Sequence, residues 1–198
     1  MKRIAKKLAV NCLLVSLFGC AFLCLAAVLP AAEEAPRDHR LELADGELKL
    51  TAPAAWQVKK PENRIIEHEL SVPPTGEDKT AGRVTIMGAG GTIDANIERW
   101  IGQFKQPDGS DTHQAAKQKD IKVGGLEVRL VDISGTYNDT RGPFSGIPAV
   151  ERPKYRMLAA IVTSKKVGNY FIKFYGPQQT VSDSEGAFLK MIDTLEVK

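Results

Sequence analysis

The chain has 198 residues, 43% hydrophobic and 26% charged, with 27 Lys and Arg against 24 Asp and Glu. That near balance removes the electrostatic case for nucleic acid, which rests on clustered cations, and the surplus itself sits at the start, in Lys2, Arg3, Lys6 and Lys7. Cys12, Cys20 and Cys24 are the only cysteines, so from residue 25 onward there is no disulfide framework, thiolate metal site or cysteine nucleophile.

The four cations are followed by an apolar run from Leu8 to Leu29, and Pro30-Ala31-Ala32 closes it before Glu33-Glu34. A charged start, an apolar middle and a small-residue boundary predict a secretory signal peptide over residues 1–32. The run is also long enough to span a bilayer, which needs about 20 residues, so retention as an N-terminal anchor is the second fate. Both place the rest outside the cytoplasm, in the periplasm, the cell envelope or the medium. If the leader is kept, it is the chain's contact with membrane. Residues 33–40 read as a polar linker and 41–198 as one globular domain. A chain of that size buries about 70% of its unfolded surface and needs no covalent staples.

In chain order, Leu41 to Thr51 alternates in two pieces around Asp45-Gly46, predicting a hairpin. Ile66, His68, Leu70 and Val72 share one face of a strand, and Val84 to Gly88 forms another. Ile93, Ile97, Trp100, Ile101 and Phe104 recur at helical spacing. Thr92 stands at the N-cap position of that helix, and Pro107-Asp108-Gly109 is expected to stop it. Lys119–Val123 and Leu126–Tyr137 are strands joined by Gly124-Gly125, a hairpin signal. Asn138 to Lys154 reads as a long Pro/Gly-rich loop. Tyr155–Thr163 and Asn169–Tyr175 are two more strands. Ser182-x-x-Glu185 has capping-box spacing and opens a last helix with Ala187, Phe188, Met191, Ile192 and Leu195 inward. Strands linked by hairpins, with two helices between and after them, predict an α+β domain with a mainly antiparallel sheet.

Pro53-Ala54-Ala55-Trp56-Gln57-Val58 resembles the Pro-x-x-Trp-x-Val turn and strand of the PsbP-like fold. The Tyr170–Pro177 strand and the closing helix with Phe188, Met191-Ile192 and Leu195 resemble its C-terminal end. That fold is shared by the PsbP extrinsic subunit of photosystem II, a Ran-binding nuclear-import factor and exported bacterial proteins of unknown function. The resemblance implies an α/β/α sandwich around an antiparallel sheet and a core position for Trp56. It implies no activity, because function lives in sites rather than folds.

The candidate chemistry is sparse. Gly90, Gly91 and Thr92 open the first helix and would present backbone N–H groups to an anion, although the Lys and spacing of a phosphate loop are missing. His39, His68 and His113 form no ligand spacing, so neither a metal nor a cofactor is expected. Asp132 shares parity with Leu126, Val128 and Leu130, which predicts a partly buried carboxylate in need of a partner, with Arg156 or Tyr137 as the choices. The long loop carries Arg141, Phe144 and Arg152, an arginine–aromatic set suited to partner recognition, or else a flap over a sheet edge. No recognisable catalytic set is present. The reading is therefore a non-catalytic exported module that binds a protein or envelope component. The alternatives are a small-ligand or anion carrier working at the glycine-rich loop, and a hydrolase using Asp132 as a buried acid.

Overall fold

Leucines at alternate positions make the first hairpin. In the computed structural model, which describes residues 37–61, 63–140 and 148–198, β1 (His39–Leu43) pairs antiparallel with β2 (Leu48–Ala52). Leu41, Leu43, Leu48 and Leu50 are all buried. The leader lies outside the described residues, as do Arg141 and Phe144. β1 begins at His39, inside the stretch expected to be linker.

β3 (Gln57–Lys59), β4 (His68–Val72) and β5 (Gly82–Gly88) follow as an antiparallel set. α1 (Ile93–Ile101) starts where the sequence places it: Thr92 Oγ1 accepts from the Ala95 N–H at 3.1 Å. It ends earlier than expected, at Gly102, before Pro107. Phe104, expected on the helix, instead begins β6 (Phe104–Lys105), which pairs with the far end of a later strand. Asp111 then caps a one-turn helix, α2 (Thr112–Ala115).

β7 (Lys117–Val123) and β8 (Leu126–Asp139) form the hairpin that Gly124-Gly125 predicts, with Val123 opposite Leu126. Both glycines have positive φ, 56° and 81°, as a two-residue turn of this hand requires. β8 then pairs with β9 (Val150–Ser164), and β9 with β10 (Gly168–Pro177). The eight-stranded sheet runs β3-β4-β5-β10-β9-β8-β6, with β7 also on β8.

The last helix departs from expectation in an instructive way. It begins at Gln178 and comes in two pieces, α3 (Gln178–Asp183) and α4 (Glu185–Asp193), so Ser182 is no cap. Pro177 fixes the backbone at the entry. Asp78, from the loop between β4 and β5, accepts from both the Thr180 N–H (2.8 Å) and the Thr180 hydroxyl (2.7 Å). A carboxylate about a hundred residues away thus does the work that the capping box would have done locally. β11 (Glu196–Val197) completes a separate three-stranded sheet, β1-β2-β11.

Both faces of the large sheet are covered, giving the antiparallel α+β arrangement expected. One face packs Val84, Ile172 and Phe174 with the leucines of the small sheet, Trp56, and Phe188, Met191 and Ile192 of α4. On the other, Ile97, Trp100 and Ile101 of α1 pack with Val131, Ile133, Met157 and Phe171. Among the described residues, no helix is long and apolar enough to cross a membrane.

Candidate functional site: a cationic, tyrosine-walled cleft

Strand alternation decides what α1 covers and what it leaves open. On β10, Phe171, Lys173 and Tyr175 point to the α1 side, and Tyr170, Ile172 and Phe174 point to the other. Phe171 lies under Trp100, edge to face at 5.8 Å. Because α1 stops at Ile101, it does not reach across Lys173 and Tyr175. A cleft of about 830 Å³ opens there, within the size range of small-molecule sites.

Lys173 and Tyr175 form its floor beside Arg83 and Thr85 of β5, and Tyr137 and Tyr155 come from β8 and β9. Arg99, Trp100 and Gln103 close it from the end of α1. Tyr137 stacks on Tyr155 with ring planes 4° apart and centroids at 6.0 Å, and tilts against Tyr175 at 5.4 Å. Lys173 Nζ sits 4.8 Å from the Tyr175 ring and 5.4 Å from the Tyr137 ring, and donates to Gln103 Oε1 at 3.0 Å.

Arg152 reaches this cleft only because of a bulge. β8 and β9 stay in step from Glu127↔Thr163 to Gly135↔Tyr155, then resume as Tyr137↔Arg152. Pro153 and Lys154 thus stand opposite the single residue Thr136, and Lys154 takes the left-handed φ of 56°. Residues 152 and 155 would face opposite ways on a regular strand. The extra residue turns Arg152 to the side of Tyr155, where its guanidinium lies 5.9 Å from the ring and donates to Asp139 Oδ2 at 2.8 Å.

The strands also revise the long loop. β8 continues through Asp139 and β9 begins at Val150, so both ends of the Asn138–Lys154 stretch are strand and Arg152 belongs to β9. Long β-propensity runs continue once a partner strand satisfies their backbone, despite Pro153.

Charge is unevenly settled in the cleft. Arg83 forks onto Glu69 with two bonds of 2.8 Å and donates to the Tyr175 hydroxyl at 2.7 Å. Arg152 has Asp139. Among the described residues, no carboxylate pairs with Arg99 or Lys173; Arg99 donates to Asn96 Oδ1 at 2.7 Å. Burial, reinforced by the charges of Arg99 and Arg83, brings the Lys173 ammonium down to about 7, against a smaller opposing pull from Asp139. Burial likewise pushes the phenols of Tyr137, Tyr155 and Tyr175 up, so they stay neutral hydrogen-bonding walls.

The other sequence candidates lie elsewhere. Gly90, Gly91 and Thr92 sit at the opposite end of α1. There Asn96 Nδ2 donates to the Gly90 and Thr92 carbonyls at 3.3 and 2.9 Å, and Thr92 Oγ1 is engaged as the cap. Asp132 is held by Arg156 through bonds of 2.9 and 2.8 Å, as parity predicts, on the other face of the sheet. Arg156 also meets Glu185 at 2.9 Å, joining the sheet to α4. His68 Nε2 donates to the Glu42 carbonyl at 2.8 Å. Among the described residues, no three His, Cys, Asp or Glu side chains gather as a metal site.

Sequence reasoning missed Lys173, Arg83, Arg99 and the three tyrosines. One signal was available: Lys173 interrupts the run Tyr170-Phe171-Ile172-Lys173-Phe174-Tyr175 in a central strand, where a cation needs company.

No protein-family model matches the chain, and no curated protein matches it. Solved structures do. Cyanobacterial PsbP from Synechocystis sp. PCC 6803 aligns over 85% of this chain and 96% of its own, with 9% identity and a TM-score of 0.48. The likeness is to the PsbP-like fold. The yeast Ran-binding protein Mog1p, from Saccharomyces cerevisiae, aligns over 82% of this chain and 96% of its own, with 8% identity and a TM-score of 0.42. A protein from Bacteroides thetaiotaomicron aligns over 80% of this chain at 13% identity and a TM-score of 0.43, and the match spans 48% of that longer chain. The resemblance drawn from Pro53–Val58 and Tyr170–Pro177 agrees with these likenesses.

Proposed function

We propose that this chain is an exported, non-catalytic binding module whose recognition site is the cleft beyond the C-terminal end of α1. The observation that carries the reading is the convergence there of Arg83, Arg99, Arg152 and Lys173 with three tyrosines, in an open space of about 830 Å³. Arginine and tyrosine are among the residues most enriched where a partner is anchored. Arg152, picked from the sequence for that reason, belongs to this set. The leader supports export, and the partner is a component of the envelope that the leader would bring within reach.

The test is affinity capture from native envelope extract with the wild-type chain and with the variant Arg152→Ala/Tyr155→Ala. Both side chains are at the half-buried rim, so the fold is expected to survive with a small loss of thermal stability. A partner held by the wild type and lost by the folded variant is the expected result. Equal capture by both would remove the cleft from the interaction.

A further inference from the structure

We infer that the cleft receives a small carboxylate carried on an apolar ring, with the carboxylate at Arg99 and Lys173 and the ring against the tyrosine wall. This rests on the cleft being the module's recognition site, and adds the chemistry of what it takes.

The argument begins with which charges are already answered. Arg83 is spent on Glu69 and Arg152 on Asp139. Arg99 and Lys173 come from different elements into one cleft, and neither has a carboxylate partner among the described residues. Like charges gathered without a counter-ion destabilise one another, and an anion delivered from outside relieves both. Gln103 already orients the Lys173 amine, which lowers the entropy cost of receiving a ligand.

The charge count favours a carboxylate over a phosphate. Lys173, depressed toward neutrality, supplies a partial charge near neutral pH, and Arg99 supplies a whole one. A monoanion is balanced by Arg99 with Lys173 only partly protonated, whereas a dianion is balanced only once the buried amine is fully protonated. The ring follows from the walls. Tyr155 is half-buried, so it retains accessible surface beside the stacked Tyr137, and Met87, Ile65 and Trp100 add apolar surface. The volume admits a small molecule.

Binding is coupled to protons. The groups that carry or can acquire charge around Lys173 are Arg99 from α1, Arg83 with Glu69 behind it from β5 and β4, and Tyr137 and Asp139 from β8. Tyr155 and Arg152 of β9 and Tyr175 of β10 complete the set. The arginines keep their charge and the phenols stay neutral, so the change near neutral pH belongs to Lys173. An incoming carboxylate draws a proton onto its amine, and affinity rises as pH falls from about 8 to about 6.

Phenylacetate, phenylacetamide and phenyl phosphate are titrated into the full chain and followed by amide chemical shifts. Phenylacetate is expected to bind with shifts at the cleft, the neutral amide to bind at least about ten-fold more weakly, and phenyl phosphate no better than phenylacetate. Arg99→Met, at an exposed position, is expected to weaken phenylacetate about ten-fold, and Lys173→Met to do so and abolish the pH dependence. Equal binding of the amide, tighter binding of the phosphate, or unchanged affinity in Arg99→Met would overturn the inference. So would the absence of phenylacetate binding. If the Arg152→Ala/Tyr155→Ala variant still loses an envelope partner in that case, the cleft is a macromolecular interface and the module reading stands.

Discussion

Lys173 gives the cleft its character at the scale of a single residue. Its amine is desolvated against Tyr137 and Tyr175, and its ammonium form is depressed to about 7. In the unfolded chain the same group titrates near 10.4. Between those values the unfolded chain binds a proton that the folded chain lacks. Stability attributable to this residue therefore rises with pH across that window and is lost as pH falls through 7. Lys173→Met is thus expected to stabilise the fold most at about pH 6 and progressively less toward about pH 10. Tyr137, Tyr155 and Tyr175 are all raised, so their own pH dependence begins near the unfolded phenol value of about 10, at the top of that range. Urea unfolding of both proteins at several pH values measures the difference; an equal gain throughout would mean that the amine stays charged in the fold.

At the scale of elements, the β9 bulge is what assembles the site. Pro153 has no N–H to give the ladder, and Lys154 adopts a φ of 56°, a region that costs a residue with a Cβ about 1 kcal/mol or more. Lys154→Gly is therefore expected to raise stability by about 1 kcal/mol, less the added chain entropy of glycine, while leaving Arg152 in the cleft. Deleting Lys154 would instead restore regular pairing and send Arg152 to the opposite face. Chemical denaturation of Lys154→Gly checks the first statement, and a loss of stability would show that the lysine side chain makes a compensating contact. Pro153 within a β-rich run was the legible sign of this bulge. Its consequence was not, because the face that Arg152 takes depends on pairing with β8.

At the largest scale, the described residues are arranged about the eight-stranded sheet, with a core on each side. Trp56 belongs to the core shared with the small sheet and α4, and Trp100 to the core beneath α1. Every central strand contributes alternate side chains to both, so loss of one core strips the sheet on which the other rests. Single-tryptophan chains made with Trp56→Phe and Trp100→Phe are expected to show coincident fluorescence transitions in urea. Separate midpoints would reveal two independently unfolding layers.

The sequence by itself determined much of this architecture. Period-two runs, glycine turns and the Ile93–Ile101 stripe are local properties of the chain, as is the Thr92 cap. That Asp132 needs a partner was legible too, from parity alone; the choice of Arg156 over Tyr137 was not. Tertiary structure decided the rest. The start of α3 is set by Asp78, the length of β9 by β8, and the side taken by Arg152 by a bulge that exists only in the pair. The cleft itself exists because α1 ends before it covers Lys173 and Tyr175, which lie far from it in the chain. Local patterns follow from backbone stereochemistry within a few residues. A site assembled from β5, β8, β9, β10 and α1 follows from register, and register is fixed only when the strands meet.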